Sequence, residues 1–196
     1  MCFFWPAIPN LIKFVTQNKI MRKLKNNELN RLNLEEFKNH KKTPIVLILD
    51  DVRSAHNVGS VFRTSDAFLV EKIFLCGITP KPPHKEIRKT ALGAYDSVDW
   101  EHNKSVEECV ESLIKDDYYI IAIEQAQNAT YLNDFKAPLN KKLAFVFGNE
   151  VNGVNQTIMD KSNECIEIPQ YGTKHSFNIS VSAGIVLWSV FEKIKP

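Results

Sequence analysis

Short runs of consecutive apolar residues constrain the fold of this chain more than any other feature. The runs are rich in β-branched and aromatic side chains, which is typical of strands buried on both faces of a sheet. They lie at Ile45–Leu49, Lys72–Cys76, Tyr118–Ile123, Leu143–Phe147 and, more weakly, Cys165–Ile168. Segments with helical spacing lie between them. Strands that alternate with helices predict an α/β domain with a mainly parallel sheet flanked by helices.

Helical spacing predicts the helices around these strands. The predicted helices are Glu28–Lys41, Val58–Phe68, Val106–Lys115 and Asn178–Lys193. The last has apolar side chains in almost every direction around its axis, which indicates burial on all sides. One chain of this size covers such a terminal helix poorly, so we favour burial against a partner subunit. Burial inside a larger sheet layer is the alternative.

Charge and cysteine content exclude some classes of protein. The 196 residues have a formal net charge of only +2, so a polyanion would bind only where basic residues gather on one face. The four cysteines are widely spaced, which predicts reduced thiols rather than a disulfide or zinc framework. We therefore expect a cytoplasmic protein without a bound metal.

The chain is predicted to contain an N-terminal extension over residues 1–42, partly helical, and one folded domain over residues 43–196. Residues 1–20 begin with an apolar stretch that is broken by Pro6 and Pro9, too short to span a bilayer and a poor signal peptide. A basic stretch, Arg22–Lys25, follows Met21 directly. We therefore hypothesise that translation starts at Met21 and that residues 1–20 are not native.

The first candidate loop, Asp50 to Asp66, follows the first predicted strand. Ligands of parallel α/β sheets bind beyond the carboxyl ends of strands, yet this loop contains neither the dinucleotide-binding nor the P-loop fingerprint. Asn57 is its predicted N-cap, and Arg63 lies nearly two turns further along the helix, so we expect both to face one crevice. Alternatively, Arg63 forms a salt bridge with Asp66 or Asp51.

Two further loops follow later strands. Phe147–Gly153 has two glycines around an Asn and a Glu, which predicts a tight turn whose backbone approaches a flat ligand. Its Glu150 is equally compatible with a solvated loop carboxylate. The third loop leads from Ile168 into the last helix, where Ser176 and Asn178 either line a site or cap the helix.

Together, the three loops resemble the signature motifs of the SpoU (TrmH-type) branch of the SPOUT methyltransferases. The motifs correspond to residues 56–67 (HNVGSVFRTSDA), 145–154 (FVFGNEVNGV) and 168–184 (IPQYGTKHSFNISVSAG). All three occur in order, each after its own predicted strand. The resemblance covers roughly Thr43 to Ile194.

The resemblance implies a SPOUT-type sheet whose C-terminal part forms a deep trefoil knot, S-adenosylmethionine bound by the knot loops, and a homodimer that completes each active site. The implied reaction is methyl transfer to a ribose 2′-hydroxyl of tRNA or rRNA. Methylation of an RNA base is one alternative, and a non-catalytic RNA-binding or assembly protein is another. The polar residues at the motif positions argue against the second.

Motif position also implies a role for individual residues. The implied catalytic residues are Asn57, Arg63, Glu150, Ser176 and Asn178. The implied cofactor-binding residues, which act mostly through the backbone, are Gly148, Asn149, Glu150, Ile168, Pro169, Phe177 and Asn178. Many family members have leucine at the position of Phe177, and the larger ring reshapes the adenine pocket.

The resemblance places Arg63 at the attacking hydroxyl. Neutralising a guanidinium at pH 7 costs about 8 kcal/mol. We therefore favour a charged Arg63 that binds a phosphate or stabilises the developing alkoxide over a general base. Arg63 is expected to contact RNA together with Lys85, Arg88 and Lys89 of a basic run. A solvated helix face is the alternative for that run and for a second one at Lys19–Lys25.

Overall fold

The computed structural model describes residues 21–138 and 140–194. A boundary between Arg31 and Leu32 divides the chain into two units. Before the boundary, Asn26–Glu28 form a single 3-10 turn, and the Arg22 guanidinium forms an ion pair with Glu28 over 2.7 Å. The hypothesis that residues 1–20 are not native concerns residues outside these ranges.

From Leu32 onward, strands and helices alternate. The helices are α1 Leu34–Asn39, α2 Ala55–Ala67, α3 Lys85–Ala91, α4 Ala94–Ser97, α5 Val106–Lys115, α6 Gln156–Lys161 and α7 Ile179–Ile194. The strands are β1 Thr43–Asp50, β2 Val70–Cys76, β3 Asp99–Asn103, β4 Tyr118–Ile123, β5 Thr130–Tyr131, β6 Lys142–Phe147 and β7 Glu164–Glu167.

The seven strands form one sheet in the order β3-β2-β1-β6-β4-β7-β5, and each neighbouring pair is parallel. The chain builds outward from β1 to β3 on one side, and β4 to β7 lie on the other. The direction of winding therefore reverses between β1 and β6. In open α/β sheets, ligands bind in the crevice beyond the carboxyl ends of the strands at such a reversal.

Helices cover both faces of the sheet, which explains why the strands read as continuous apolar runs. Along β1, Ile45, Leu47 and Leu49 pack into the core that includes residues of α2 and α7. Val46 and Ile48 pack into a second core that includes residues of α5 and α6. The structure thus confirms the predicted α/β class with its parallel sheet.

The predicted elements agree with the structure where the apolar signal is strong. All five predicted strands are present, and β4 and α5 have the predicted bounds. The strands β3 and β5 were not predicted, because edge strands with the sequences DWEHN and TY carry no apolar run. The helix predicted over 28–41 is wrong for most of its length. Asn33 caps a helix of six residues that ends before His40.

One face of α7 remains exposed in the single chain. Ala183, Val186 and Leu187 are fully buried. Val181 and Trp188, by contrast, are 48% and 58% exposed. The predicted burial on all sides is therefore not achieved within one subunit. Within residues 21–138 and 140–194, no helix is long and apolar enough to cross a membrane.

Candidate active site

The carboxylate of Glu150 connects the loop after β6 to the loop after β1. Its Oε2 accepts a hydrogen bond from the Arg53 N–H over 3.1 Å, and its Oε1 accepts from the Ser54 N–H over 3.3 Å and from Asn57 Nδ2 over 3.4 Å. Partial burial alone would raise the pKa of Glu150, but these hydrogen bonds stabilise the anion and lower the pKa below its usual value. Glu150 is therefore an ionised connector between two loops rather than a freely solvated carboxylate.

Asn57 links these two loops to the third. Its Oδ1 accepts a hydrogen bond from Asn178 Nδ2 over 3.1 Å, while its own amide donates to Glu150. The prediction that Asn57 is the N-cap of α2 is wrong: the cap is Ser54, whose Oγ accepts from the Asn57 N–H over 3.3 Å. Because the helix begins earlier than the apolar pattern indicates, the Asn57 side chain is available to bridge the loops.

Asn178 has two functions at the start of α7. Its Oδ1 accepts from the Ser180 N–H over 2.9 Å and from Ser180 Oγ over 2.7 Å. Of the two predicted capping residues, Ser176 and Asn178, these contacts identify Asn178 as the cap. The amide nitrogen of the same side chain bonds to Asn57, so capping and loop bridging are compatible.

The turn from Gly148 to Gly153 has a fixed shape. Asn149 and Gly153 exchange two backbone hydrogen bonds of 3.1 and 2.9 Å, and Asn149 Nδ2 donates to the Asp51 carbonyl over 2.7 Å. A Cβ at Gly148 would lie 2.1 Å from the carbonyl carbon of Gly153. Glycine is therefore required at 148 for the turn to close, and the Asn149 side chain holds that turn to the loop after β1.

The loops enclose a cavity of about 750 Å³ at the carboxyl ends of the central strands, a size typical of small-molecule sites. Of the predicted site residues, it is lined by Gly148, Asn149, Glu150, Ile168, Ser176, Phe177 and Asn178. Pro169 is not among the lining residues, although its neighbours Ile168 and Gln170 are. The charged side chains in the lining are Glu124 and Glu150, so the wall of the cavity is acidic.

A fourth loop, which sequence reasoning missed, also forms the cavity. After β4, Glu124 Oε2 accepts a hydrogen bond from the Val154 N–H over 3.0 Å. The neighbouring Gln125 Nε2 donates to the carbonyl of His175. These two residues connect the turn after β6 with the loop before α7. The signal was present in the sequence, because Glu124 and Gln125 directly follow a correctly predicted strand.

Arg63 lies outside this cavity. It is exposed on α2 and forms no hydrogen bond or ion pair with the residues that the structure describes. The predicted salt bridge is wrong, because Asp66 accepts from Ser97 Oγ and Asp51 accepts from the Ile78 N–H. Six residues rotate a side chain by about 600° around the helix axis, which leaves Arg63 about 120° from Asn57. The two side chains therefore point to different faces of α2, which argues against the expected shared crevice within one chain.

The predicted RNA contacts lie on α3, outside the cavity. Lys85, Arg88 and Lys89 are exposed. The helix packs closely against α2, since a Cβ at Gly59 would lie 2.0 Å from Thr90 Oγ1. Three exposed basic side chains thus lie on a helix that packs against α2.

Two structural observations bear on other sites. Among residues 21–138 and 140–194, no group of three histidine, cysteine or acidic side chains is arranged to hold a metal ion. A separate cavity of about 760 Å³ lies around Pro44 and Leu143, near the amino ends of β1 and β6. It is at the opposite end of the sheet from the motif loops.

The family assignment follows from the sequence profile of the SpoU rRNA Methylase family, which matches residues 44–188. This chain belongs to the SpoU family. The match runs from β1 into α7 and includes the four loops around the cavity. The resemblance inferred from the three motifs is therefore confirmed.

Relatives of this SpoU chain are named as RNA methyltransferases. It is 31% identical over 160 residues to a putative TrmH family tRNA/rRNA methyltransferase of Staphylococcus aureus, covering 82% of this chain and 63% of that protein. It is 30% identical over 180 residues to the 23S rRNA (guanosine-2'-O-)-methyltransferase RlmB of Haemophilus ducreyi, covering 90% and 71%. The chain thus spans less than two thirds of the first relative.

Solved structures of SpoU-type proteins share the fold. An AdoMet-bound rRNA methyltransferase from Sinorhizobium meliloti superposes with a TM-score of 0.74 at 22% identity, over 80% of this chain and 59% of that one. The TrmH/SpoU tRNA modifying enzyme of A. aeolicus has a TM-score of 0.71 at 22% identity, over 82% and 80%. At this identity, the likeness establishes the SPOUT-type sheet and its flanking helices.

Proposed function

We propose that this chain transfers a methyl group from S-adenosylmethionine to a ribose 2′-hydroxyl of tRNA or rRNA. The observation that carries the proposal is the hydrogen-bonded chain Glu150–Asn57–Asn178, which joins the three family motifs. Glu150 and Asn178, the two ends of this chain, line one acidic cavity. RNA methyltransferase names among the relatives support the same conclusion.

The cavity fits the cofactor in size, shape and charge. Its volume suits a nucleoside with an amino-acid side arm. The closed turn at Gly148 brings backbone groups to the wall, where they can hold a flat base. Two carboxylates, with no lysine or arginine in the described lining, suit a cationic ligand and disfavour a phosphorylated one. We assign cofactor binding to the backbone near Gly148, Ile168 and Phe177, with Asn149 holding the turn and Pro169 shaping the loop.

The polar residues orient the reactants. The bound cofactor supplies an electrophilic methyl group, so accurate positioning of the ribose oxygen is the main task of the protein. Glu150 holds Asn57, and Asn57 holds Asn178, so the three keep the loops at a fixed separation. Ser176 and Asn178 line the same cavity. We assign both to hydrogen bonds with the substrate.

We propose that two copies of the chain form a homodimer through the exposed face of α7. Val181 and Trp188 are exposed there, and the Trp188 ring contacts Phe68 with centroids 6.3 Å apart. The helix α7 passes α2 at Gly184, where an added Cβ would lie 3.9 Å from Thr64. Thr64 follows Arg63, so a second copy on this face would bring an arginine close to a cavity whose described lining contains no lysine or arginine.

RNA binding is assigned to Arg63 and to α3. A charged Arg63 stabilises the phosphate or the developing alkoxide, and Lys85, Arg88 and Lys89 neutralise phosphates further along the strand. An RNA-modifying chain of this kind is expected in the cytoplasm.

Two further proposals concern the architecture of the chain: an N-terminal extension over residues 1–42 that precedes a folded domain over residues 43–196, and a trefoil knot in that domain. In support of the knot, β7 lies beyond β4, whereas α7 returns to pack against α2. A knotted chain stretched from both ends stays shorter than its full contour, so single-molecule extension tests this proposal.

The methylation proposal is tested with the purified chain, radiolabelled S-adenosylmethionine and unmodified tRNA and rRNA transcripts. Label in a 2′-O-methylated nucleoside after complete digestion supports the proposal. Label in a methylated base would instead support the alternative function, methylation of an RNA base. An absence of binding to the cofactor overturns the proposal entirely.

A further inference from the structure

The negative charge on the wall of the cavity bears on how strongly the cavity binds the methylated and the demethylated form of the cofactor. Within the described residues, neither Glu124 nor Glu150 forms an ion pair with a lysine or arginine. Their negative charges are stabilised only by hydrogen bonds and therefore act on whatever occupies the cavity. A carboxylate in a partly water-excluded cavity attracts a cation more strongly than it would in bulk water.

The two carboxylates differ in their surroundings. Glu150 accepts from Arg53, Ser54 and Asn57, so it faces the loop after β1. Glu124 connects the loop after β4 to the turn after β6. Its Oε1 accepts from the Gln125 N–H over 2.7 Å, and its Oε2 accepts from the Val154 N–H over 3.0 Å. A Cβ at Gly153 would lie 2.2 Å from Glu124 Oε2, so the carboxylate lies directly against the cofactor-binding turn.

We propose that the carboxylate of Glu124 makes the cavity select the methyl donor over its demethylated product. This inference rests on the proposed function. The donor, S-adenosylmethionine, itself carries a positive sulfonium, a positive ammonium and one negative carboxylate. Its net charge is therefore positive. When the methyl group leaves, the sulfonium becomes a neutral thioether and the product has no net charge. The attraction to Glu124 falls at that moment, which favours exchange of product for fresh donor.

The test compares the dissociation constants of S-adenosylmethionine and S-adenosylhomocysteine, measured by calorimetry for the full chain and three variants. For Glu124→Gln, the preference for the donor, taken as the ratio of the two constants, should fall about three- to tenfold, the effect of one unit charge in a partly hydrated cavity. Glu124→Asp keeps the charge and should keep most of the preference. Glu101→Gln removes the same charge from β3 on the far side of the sheet and should leave the ratio unchanged.

The ratio separates a charge effect from a structural one. If the substitution distorts the loop, binding of both ligands weakens together. An unchanged ratio of the two dissociation constants in Glu124→Gln therefore overturns the inference, even when both affinities drop. Equal loss of preference in Glu124→Asp and Glu124→Gln overturns it as well. If the unsubstituted chain binds neither ligand, the proposed function itself fails. Binding of both ligands with a ratio indifferent to Glu124 rejects only the present inference.

Discussion

The side-chain amide of Asn178 donates a hydrogen bond to Asn57 Oδ1 over 3.1 Å, although 121 positions separate the two residues in sequence. The Asn57 amide in turn donates to Glu150, which binds the backbone N–H groups at the start of α2. A change at one residue of this chain of bonds is therefore expected to alter the position of all three motif loops.

Replacing Asn57 with alanine should reduce methyl transfer by about ten- to a hundredfold, because Glu150 and Asn178 lose their common partner. The protein should remain folded, since the core residues are unchanged. Single-turnover rates with RNA and a thermal melt measure the two effects. Asn133→Ala is the matched control: within the part of the chain that the structure describes, its amide bonds only to the neighbouring Asp134. Equal rates in both variants would contradict the role of Asn57.

Replacing Arg63 with alanine should lower turnover by at least about a hundredfold, while affinity for S-adenosylhomocysteine changes little. The reason is that Arg63 does not line the cavity of its own chain. Lysine at this position should restore only part of the rate, since it lacks the planar fork of arginine. Turnover and calorimetry together provide the measurement, and near-normal turnover in Arg63→Ala would remove Arg63 from the site.

Complementation tests whether Arg63 serves the partner's cavity. Co-expression of Arg63→Ala with Asn57→Ala chains gives mixed dimers that have one intact composite site. Random pairing predicts recovery of about a quarter of the normal activity. If Arg63 acted within its own chain, each site in the mixed dimer would have one defect and no activity would return.

The substitution Trp188→Glu should convert the dimer into monomers, because it places a charge on the exposed apolar face of α7. Sedimentation velocity measures the change. Tyr131→Glu is the control, since Tyr131 is exposed to a similar extent on the strand at the sheet edge. A dimer that survives Trp188→Glu would show that the subunits meet elsewhere.

Removing the basic side chains of α3 should weaken RNA binding through the salt-dependent part of the affinity. In the triple alanine variant of Lys85, Arg88 and Lys89, affinity should fall less steeply with salt. The negative slope of log affinity against log salt should become shallower by about two, if each residue neutralises one phosphate. Lys115→Ala, on α5 across the sheet, should leave the slope unchanged. Filter binding over a range of salt concentrations measures it. An unchanged slope in the triple variant would favour the solvated helix face.

The buried carboxyl of Asp50 is expected to make the free energy of unfolding depend on pH. Its side chain is 7% exposed, and burial, followed by the charges of Asp51 and Glu107, raises its pKa to about 6 from the ordinary value of 3.8. The folded state thus holds this proton more tightly than the unfolded state. The free energy of unfolding should therefore fall as pH rises from about 4 to about 6, by at most about 3 kcal/mol.

Asp50→Asn removes this titration and should stabilise the protein above about pH 6, with little effect below about pH 4. Urea unfolding of both proteins across this range measures the difference between their free energies. A difference that stays constant with pH would show that Asp50 keeps an ordinary pKa in the folded protein.

Local sequence determined the strands with apolar runs, the helix α5 and the three motif loops. Each of these depends on residue spacing within one segment, where burial and hydrogen bonding repeat with a known period. The tertiary structure decided the rest. The order of β1, β6 and β4 brings Glu124 to the same cavity as Gly148 and Asn178, and no local pattern specifies which strands become neighbours. Arg63 shows the same limit. Its position on α2 follows from the sequence, whereas the direction it faces depends on where the helix begins and what packs against it.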